Sequence, residues 1–108
     1  MIKKQVVKSR NVVKVTFAIQ KEELPEGIDV ETVNLVGEFN DWDETANPLT
    51  YRKKDKAYRA TIELAPGREY QFRYLINGHH WCNDWEADQY TPNEFGTDNC
   101  VVVTPEIA

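Results

Sequence analysis

The sequence predicts an all-β chain, an immunoglobulin-like sandwich of about seven short antiparallel strands. Three observations carry that expectation. Apolar and polar residues alternate with a period of two over most of the 108 residues, the pattern of half-buried strands. Turn-forming residues interrupt the alternation at short intervals. No segment longer than a turn or two keeps an apolar stripe at helical spacing.

The elements follow in order. From Val12 to Ile19, Val13, Val15, Phe17 and Ile19 share one face against Val12, Lys14, Thr16 and Ala18. From Val33 to Phe39, Val33, Leu35 and Phe39 alternate with Asn34, Val36 and Glu38. Tyr58, Ala60, Ile62 and Leu64 form one face of a strand from Ala57 to Leu64, and Tyr70, Phe72, Tyr74 and Ile76 one face of a strand from Glu69 to Ile76. Asn99 to Thr104 holds the β-branched run Val101-Val102-Val103. Leu24-Pro25-Glu26-Gly27 separates the first two strands, and Ala65-Pro66-Gly67-Arg68 is a tight turn in which Pro presets φ and Gly takes φ > 0. Asn77-Gly78 is a two-residue hairpin signal between Ile76 and His79. No repeat or linker divides residues 1–108, which read as one domain with a core over about residues 12–104 and loose ends near Met1 and Ala108.

Composition narrows the function. The net charge of −5 disfavours a nucleic-acid binder, which needs a basic face. The basic residues Lys3, Lys4, Lys8, Arg10 and Lys14 read as a solvated first strand and its lead-in. No apolar run follows the N-terminal lysines and none approaches membrane-spanning length, so neither a signal peptide nor a membrane segment is expected, and the expected location is the cytoplasm. Cys82 and Cys100 are too few for a disulfide scaffold and read as two free thiols, with a bridge as the alternative.

The stretch Val33-Asn-Leu-Val-Gly-Glu-Phe-Asn-Asp-Trp42 carries a resemblance, continued through Asn47-Pro48-Leu49, Glu63-Leu-Ala-Pro-Gly67 and Tyr70-Gln-Phe-Arg-Tyr-Leu-Ile-Asn-Gly78. It resumes at Trp81, Asp84 and Asn93-Glu-Phe-Gly-Thr-Asp-Asn99. Together these motifs resemble the family 48 carbohydrate-binding modules, which include the early-set N-terminal domains of isoamylases and branching enzymes and the glycogen-binding domain of the AMP-activated protein kinase β subunit. The resemblance implies an early-set sandwich that docks α-1,4-linked glucose chains. It places the family's two sugar-binding tryptophans at Trp42 and Trp81, the basic strand residue at Arg73, the apolar loop residue at Phe95 and the asparagine at Asn99, with Thr97 nearby. Departures from the family pattern are Arg73 for lysine, Phe95 for an aliphatic residue, the His79-His80 pair before Trp81, and Trp85 at a position more often proline.

The residue types suit that chemistry. A pyranose face is dense in C–H groups and matches a flat indole, while hydroxyl-rich edges match Arg, Asn and Thr. Trp42 lies in a polar turn, where a core role explains it poorly; its competing reading is a lid over a sheet edge. Arg73 falls on the outward face of its strand, in reach of ligand or paired with an acid. Trp81 after the hairpin is a sugar contact or a core residue, Asn99 a contact or a turn cap, and Phe95 a contact or a loop anchor. Trp85, Tyr74 and Tyr90 are expected to be structural.

No catalytic residues are expected. The Asp84, Glu86, Asp88 group and the Asp41, Asp43, Glu44 group read as turn-forming, solubilising acids on surface loops; paired catalytic carboxylates need a cleft between them. His79, His80 and Cys82 are not expected to hold a metal, because adjacent strand residues face opposite ways. The chain is also far below the roughly 250 residues of a TIM barrel. The expected function is non-catalytic binding of an α-1,4-glucan oligo- or polysaccharide, without cofactor. The alternative is a regulatory domain that docks on a glycogen-metabolising enzyme without binding sugar itself.

Overall fold

The computed structural model describes residues 1–107. Among the described residues nine strands make two antiparallel sheets: β1 (Ile2–Val7), β2 (Val12–Gln20), β3 (Val33–Gly37), β4 (Thr50–Arg52), β5 (Ala57–Leu64), β6 (Glu69–Ile76), β7 (His80–Cys82), β8 (Gln89–Pro92) and β9 (Asp98–Val103). The first sheet runs β1-β2-β5-β4 and the second β3-β6-β9-β8, with β7 paired to the far end of β6. This is the expected immunoglobulin-like sandwich.

The alternating residues do what the pattern requires. Val13, Val15, Phe17 and Ile19 of the first sheet meet Val33, Leu35, Phe72, Tyr74, Ile76, Cys100 and Val102 of the second in one core. Edge-to-face ring packing of Phe17 on Phe72, with centroids 4.9 Å apart, ties the layers at their centre. Gly37 is needed where β3 crosses β6, since a Cβ there would fall 2.6 Å from the Gln71 carbonyl oxygen. Cys82 and Cys100 are both free. Burial is the main cause that pushes the Cys100 thiol up to about 11.

Three sequence expectations need correction. Residues near Met1 are no loose end: β1 pairs with β2 in the register Ile2↔Phe17 to Val7↔Val12, as an edge strand whose side chains are mostly exposed and so leave little apolar alternation to read. β3 stops at Gly37, two residues short of Phe39, because Asn40 folds the chain back. The Asn40 side chain donates to the Leu35 carbonyl (2.9 Å) and to Asn47 Oδ1 (2.7 Å), and accepts the Gly37 amide (3.1 Å). Phe39 nonetheless packs on the core beside Phe17 and Tyr70.

The third correction is Asp84, which is a buried residue at 1% exposure and not a surface acid. Its carboxylate accepts the Tyr74 hydroxyl (2.8 Å), the Glu86 amide (2.8 Å) and the Met1 ammonium (3.1 Å). Burial and the neighbouring Asp84 charge push the Tyr74 phenol well above its ordinary value, so it stays a neutral donor. Hydrogen bonds to a buried charge are worth about 1.5–3 kcal/mol. Tyr74→Phe is therefore expected to lower unfolding free energy by about 2 kcal/mol in urea denaturation, with no change in m-value.

Candidate functional site

Alternation along β6 turns Phe72, Tyr74 and Ile76 inward and Gln71, Arg73 and Leu75 outward. The outward face of the second sheet is not simply wet. Val36, Leu75 and Val101 lie on it, yet are 0%, 1% and 5% exposed and stand apart from the inter-sheet core. Their cross-strand neighbours are Arg73 beside Val36, Trp81 beside Leu75 and Gln71 beside Val101. These apolar side chains form a floor, and the larger polar and aromatic residues stand around it.

The position of Trp81 depends on one residue. Asn77 (φ 53°) and Gly78 (φ 77°) form the expected turn, and the His79 amide donates to the Ile76 carbonyl at 3.1 Å. The ladder, however, pairs Ile76 with His80, which leaves His79 as an extra loop residue. Had His79 faced Ile76, Trp81 would face inward-pointing Tyr74. The extra residue shifts the register by one and reverses every side chain of β7. Trp81 therefore faces outward at 41% exposure, and Cys82 turns toward the core. The same loop conformation brings the His79 and His80 rings to 4.3 Å, contrary to the expectation of opposite faces. No cluster of three metal-ligating groups forms among the described residues.

Arg73 is fixed in place by its neighbours. Its Nε donates to Asn83 Oδ1 at 2.7 Å and its Nη1 lies 3.4 Å from Thr97 Oγ1. Its guanidinium sits 5.9 Å from the Trp81 ring centroid, a cation–π contact. Asn93 donates to Thr97 Oγ1 (2.8 Å) and Asn99 Oδ1 (3.0 Å), and Asn99 donates to Gln71 Oε1 (3.0 Å). Arg73, Trp81, Thr97 and Asn99 thus belong to one connected layer. Asn99 is 8% exposed with both ends of its amide engaged, so in this geometry it positions its neighbours.

Trp42 and Phe95 sit on loops at the margins. The Trp42 amide donates to the Gly37 carbonyl at 2.8 Å, one residue along from Val36, which faces Arg73. Asp41 and Trp42 both adopt left-handed backbone, at φ 55° and 58°. That conformation strains residues other than glycine, and such strain is typically retained where a side chain must be presented. Trp42 remains 38% exposed. Phe95 is 83% exposed at a turn in which its amide donates to Asn93 Oδ1 (2.9 Å). Trp42 and Phe95 lie on exposed surface, and two shallow depressions lie against the first sheet.

Besides Asp84, two of the acids have structural partners. Asp43 accepts the Thr45 amide and hydroxyl, and that amide bond is the main cause holding its carboxyl below its ordinary value. Asp88 accepts Lys4 Nζ and the Val103 amide, both at 2.7 Å. Tyr74 is buried as expected, and the Tyr90 hydroxyl donates to the Asp84 carbonyl at 2.6 Å. Trp85, expected to be structural, is 67% exposed and is no part of the core. It follows Asp84 in a turn whose anchoring is done by the aspartate, a role no alternation pattern marks.

The fold is that of an immunoglobulin-like sandwich, with aromatic and polar side chains set around an apolar floor on one outer face. A model of the family described as the glycogen recognition site of AMP-activated protein kinase matches residues 26–107, and the chain belongs to that family. Among solved structures, the crystal structure of ferric enterobactin esterase from Salmonella typhimurium aligns over 99% of this chain with a TM-score of 0.76 and 9% identity, a likeness of fold. The chain spans 35% of that protein's length. A search of curated proteins gave no match.

Two substitutions test the local geometry. Glycine tolerates the left-handed region that alanine resists, by about 1 kcal/mol. Trp42→Gly is therefore expected to be about 1 kcal/mol more stable than Trp42→Ala in paired urea denaturations. Deleting His79 leaves Asn77-Gly78 joining the same partners, so Trp81 is expected to keep its accessibility to iodide quenching and stability to stay within about 0.5 kcal/mol.

Proposed function

We propose that the chain is a non-catalytic α-glucan-binding module whose ligand runs across the outer face of the second sheet. The observation that carries this reading is the register that turns Trp81 outward beside Arg73. It places a flat apolar ring and a fixed fan of donors on one open surface, as a pyranose face and its hydroxyl edge require. Trp42 and Trp81 stack on glucose units, Arg73 and Thr97 bind hydroxyls, Asn99 holds the layer in register, and Phe95 flanks the chain. Membership of a glycogen-recognition family supports the ligand class. An open site suits a polymer, since each sugar hydroxyl exchanges water for a similar partner and net affinity comes from stacking and from repeated engagement. A module of this kind would bring a glycogen-metabolising partner enzyme to its substrate.

The test is titration with β-cyclodextrin and maltoheptaose, followed by amide-shift NMR and tryptophan fluorescence. Saturable binding with shifts at Trp42, Arg73, Trp81 and Thr97 is expected, and Trp42→Ala and Trp81→Ala should each weaken it by tenfold or more. That loss matches stacking worth about 1–1.5 kcal/mol or more per ring. Absence of any response at millimolar sugar would overturn the reading in favour of a protein-docking surface.

A further inference from the structure

The two halves of the sandwich carry opposite charge. Residues 1–23 and 50–64, which supply the first sheet and its turns, hold 11 Lys and Arg against 4 Asp and Glu, a net of +7. The remaining residues hold 2 against 14, a net of −12, which together restores the overall −5. The field on the first sheet therefore favours anions, although the whole chain is acidic.

A specific place on that sheet fits an anion. Thr50 and Arg52 of β4 and Arg59, Ala60 and Thr61 of β5 line a shallow depression. Arg59 faces Thr50 across one strand gap and Ala18 across the other. Arg59 is only partly satisfied. Its Nη1 lies 3.3 Å from the Asp55 carboxylate, while its Nε is buried with no hydrogen-bond partner. A buried, unanswered N–H of a charged group is costly and calls for an acceptor. The Nε edge of a guanidinium is one that binds two oxygens of an oxyanion in parallel.

We propose that this depression binds a phosphate monoester. Arg59, whose Nε is closed to solvent in this arrangement, turns to offer its Nε edge to two oxygens, Arg52 supplies the second cation, and the hydroxyls of Thr50 and Thr61 meet the remaining oxygen. Thr61 is already oriented by a 2.8 Å bond to Thr16. Two guanidiniums and two hydroxyls offer more donors than the two oxygens of a planar carboxylate can use, but suit the three terminal oxygens of a tetrahedral dianion. Of the nearby acids, Glu63 is neutralised by Arg10 at 2.6 Å. Asp55 shares Arg59, and Lys53, Lys54 and Lys56 flank it in sequence. The site lies on the opposite side of the sandwich from Trp81 and does not rest on the glucan reading.

The experiment follows the Arg59 Nε–H resonance and backbone amides while inorganic phosphate, glucose 6-phosphate or O-phosphoserine is added, with acetate as control at equal ionic strength. Saturable shifts centred on Arg52, Arg59 and Thr61 at millimolar or lower phosphate, and a weaker effect of acetate, are expected. Equal response to the three phosphates supports a site that reads the phosphate group alone, and preference for one carrier supports the site and identifies its source. Affinity should rise between pH 5.5 and 7.5, because a monoester gains its second charge near a pKa of about 6. Arg59→Lys, which keeps the charge without the fork, should weaken binding about tenfold, and Arg52→Ala should weaken it while leaving the fold intact. Shifts that are non-saturable, equal with acetate, or unchanged in Arg59→Lys would overturn the proposal. Maltoheptaose binding, read at Trp42 and Trp81, reports on the other face independently.

Discussion

A carboxylate cannot be withdrawn from water unless donors replace the hydration it loses. Asp84 meets that demand with groups from distant parts of the chain, and much of the molecule's arrangement depends on the solution. Tyr74 reaches it from the middle of β6, Met1 from the start of β1, and Glu86 from its own turn. The backbone of the same residue is used as well: its amide donates to Cys100 Sγ on β9, and its carbonyl accepts the Tyr90 hydroxyl from β8. One residue thus ties the edge strand of the first sheet to three strands of the second. The neighbouring Asn83 is held as a consequence, donating to the Asp98 carbonyl and accepting from Arg73. The Asn83 contact to Arg73 on the outer face thus sits directly beside a buried charge that anchors its turn.

The same dependence of surface on interior runs through the floor of Val36, Leu75 and Val101. An exposed arginine or tryptophan has several rotamers to choose from, and ordering it costs entropy when a ligand binds. Seating Arg73 and Trp81 beside buried apolar residues, and tying Arg73 to Asn83 and Thr97, limits that freedom in advance. For the proposed glucan site this would matter more than for a deep pocket, because an open face offers no enclosure to add affinity. The strained backbone of Trp42 is consistent with the same economy: the fold holds the ring outward at a conformational cost.

Strands with many inward apolar positions were legible in the sequence. β5 and β6 have the bounds that alternation alone predicts, and β2 differs by one residue. Short or edge strands were not, since β1, β4, β7 and β8 bury too little on either face to leave a period. The outward face of β6 was also readable as a direction, but not its burial: Leu75 looks solvated in the pattern because periodicity says which way a side chain points and nothing about what lies over it. Trp81 was ambiguous for a definite reason. Its side depends on whether the Asn77-Gly78 turn closes on His79 or His80, and a single residue of register separates a core tryptophan from a surface one. Asp84 was misplaced among surface acids because two of its carboxylate's partners, Tyr74 and Met1, come from 10 and 83 residues away in sequence.

A β-sandwich is suited to keeping two surfaces separate. Pleating sends alternate side chains to opposite faces, so each sheet offers one face to the shared core and one to solvent. Here the solvent face of the second sheet carries the aromatic layer, and the first sheet with its turns carries most of the positive charge. Between them lies a core centred on Phe17, Phe72 and Tyr74, with none of these more than 0% exposed. A close-packed core transmits little of a small rotamer change on either surface, and coupling would require an element with two distinct arrangements. Each strand pairing found among the described residues is antiparallel and continuous across its sheet, and no such element is evident in it. The physical expectation from this architecture is additive occupation of the two faces. With both proposed sites occupied, such a module would act as a bridge, holding two chemically different partners at a fixed separation.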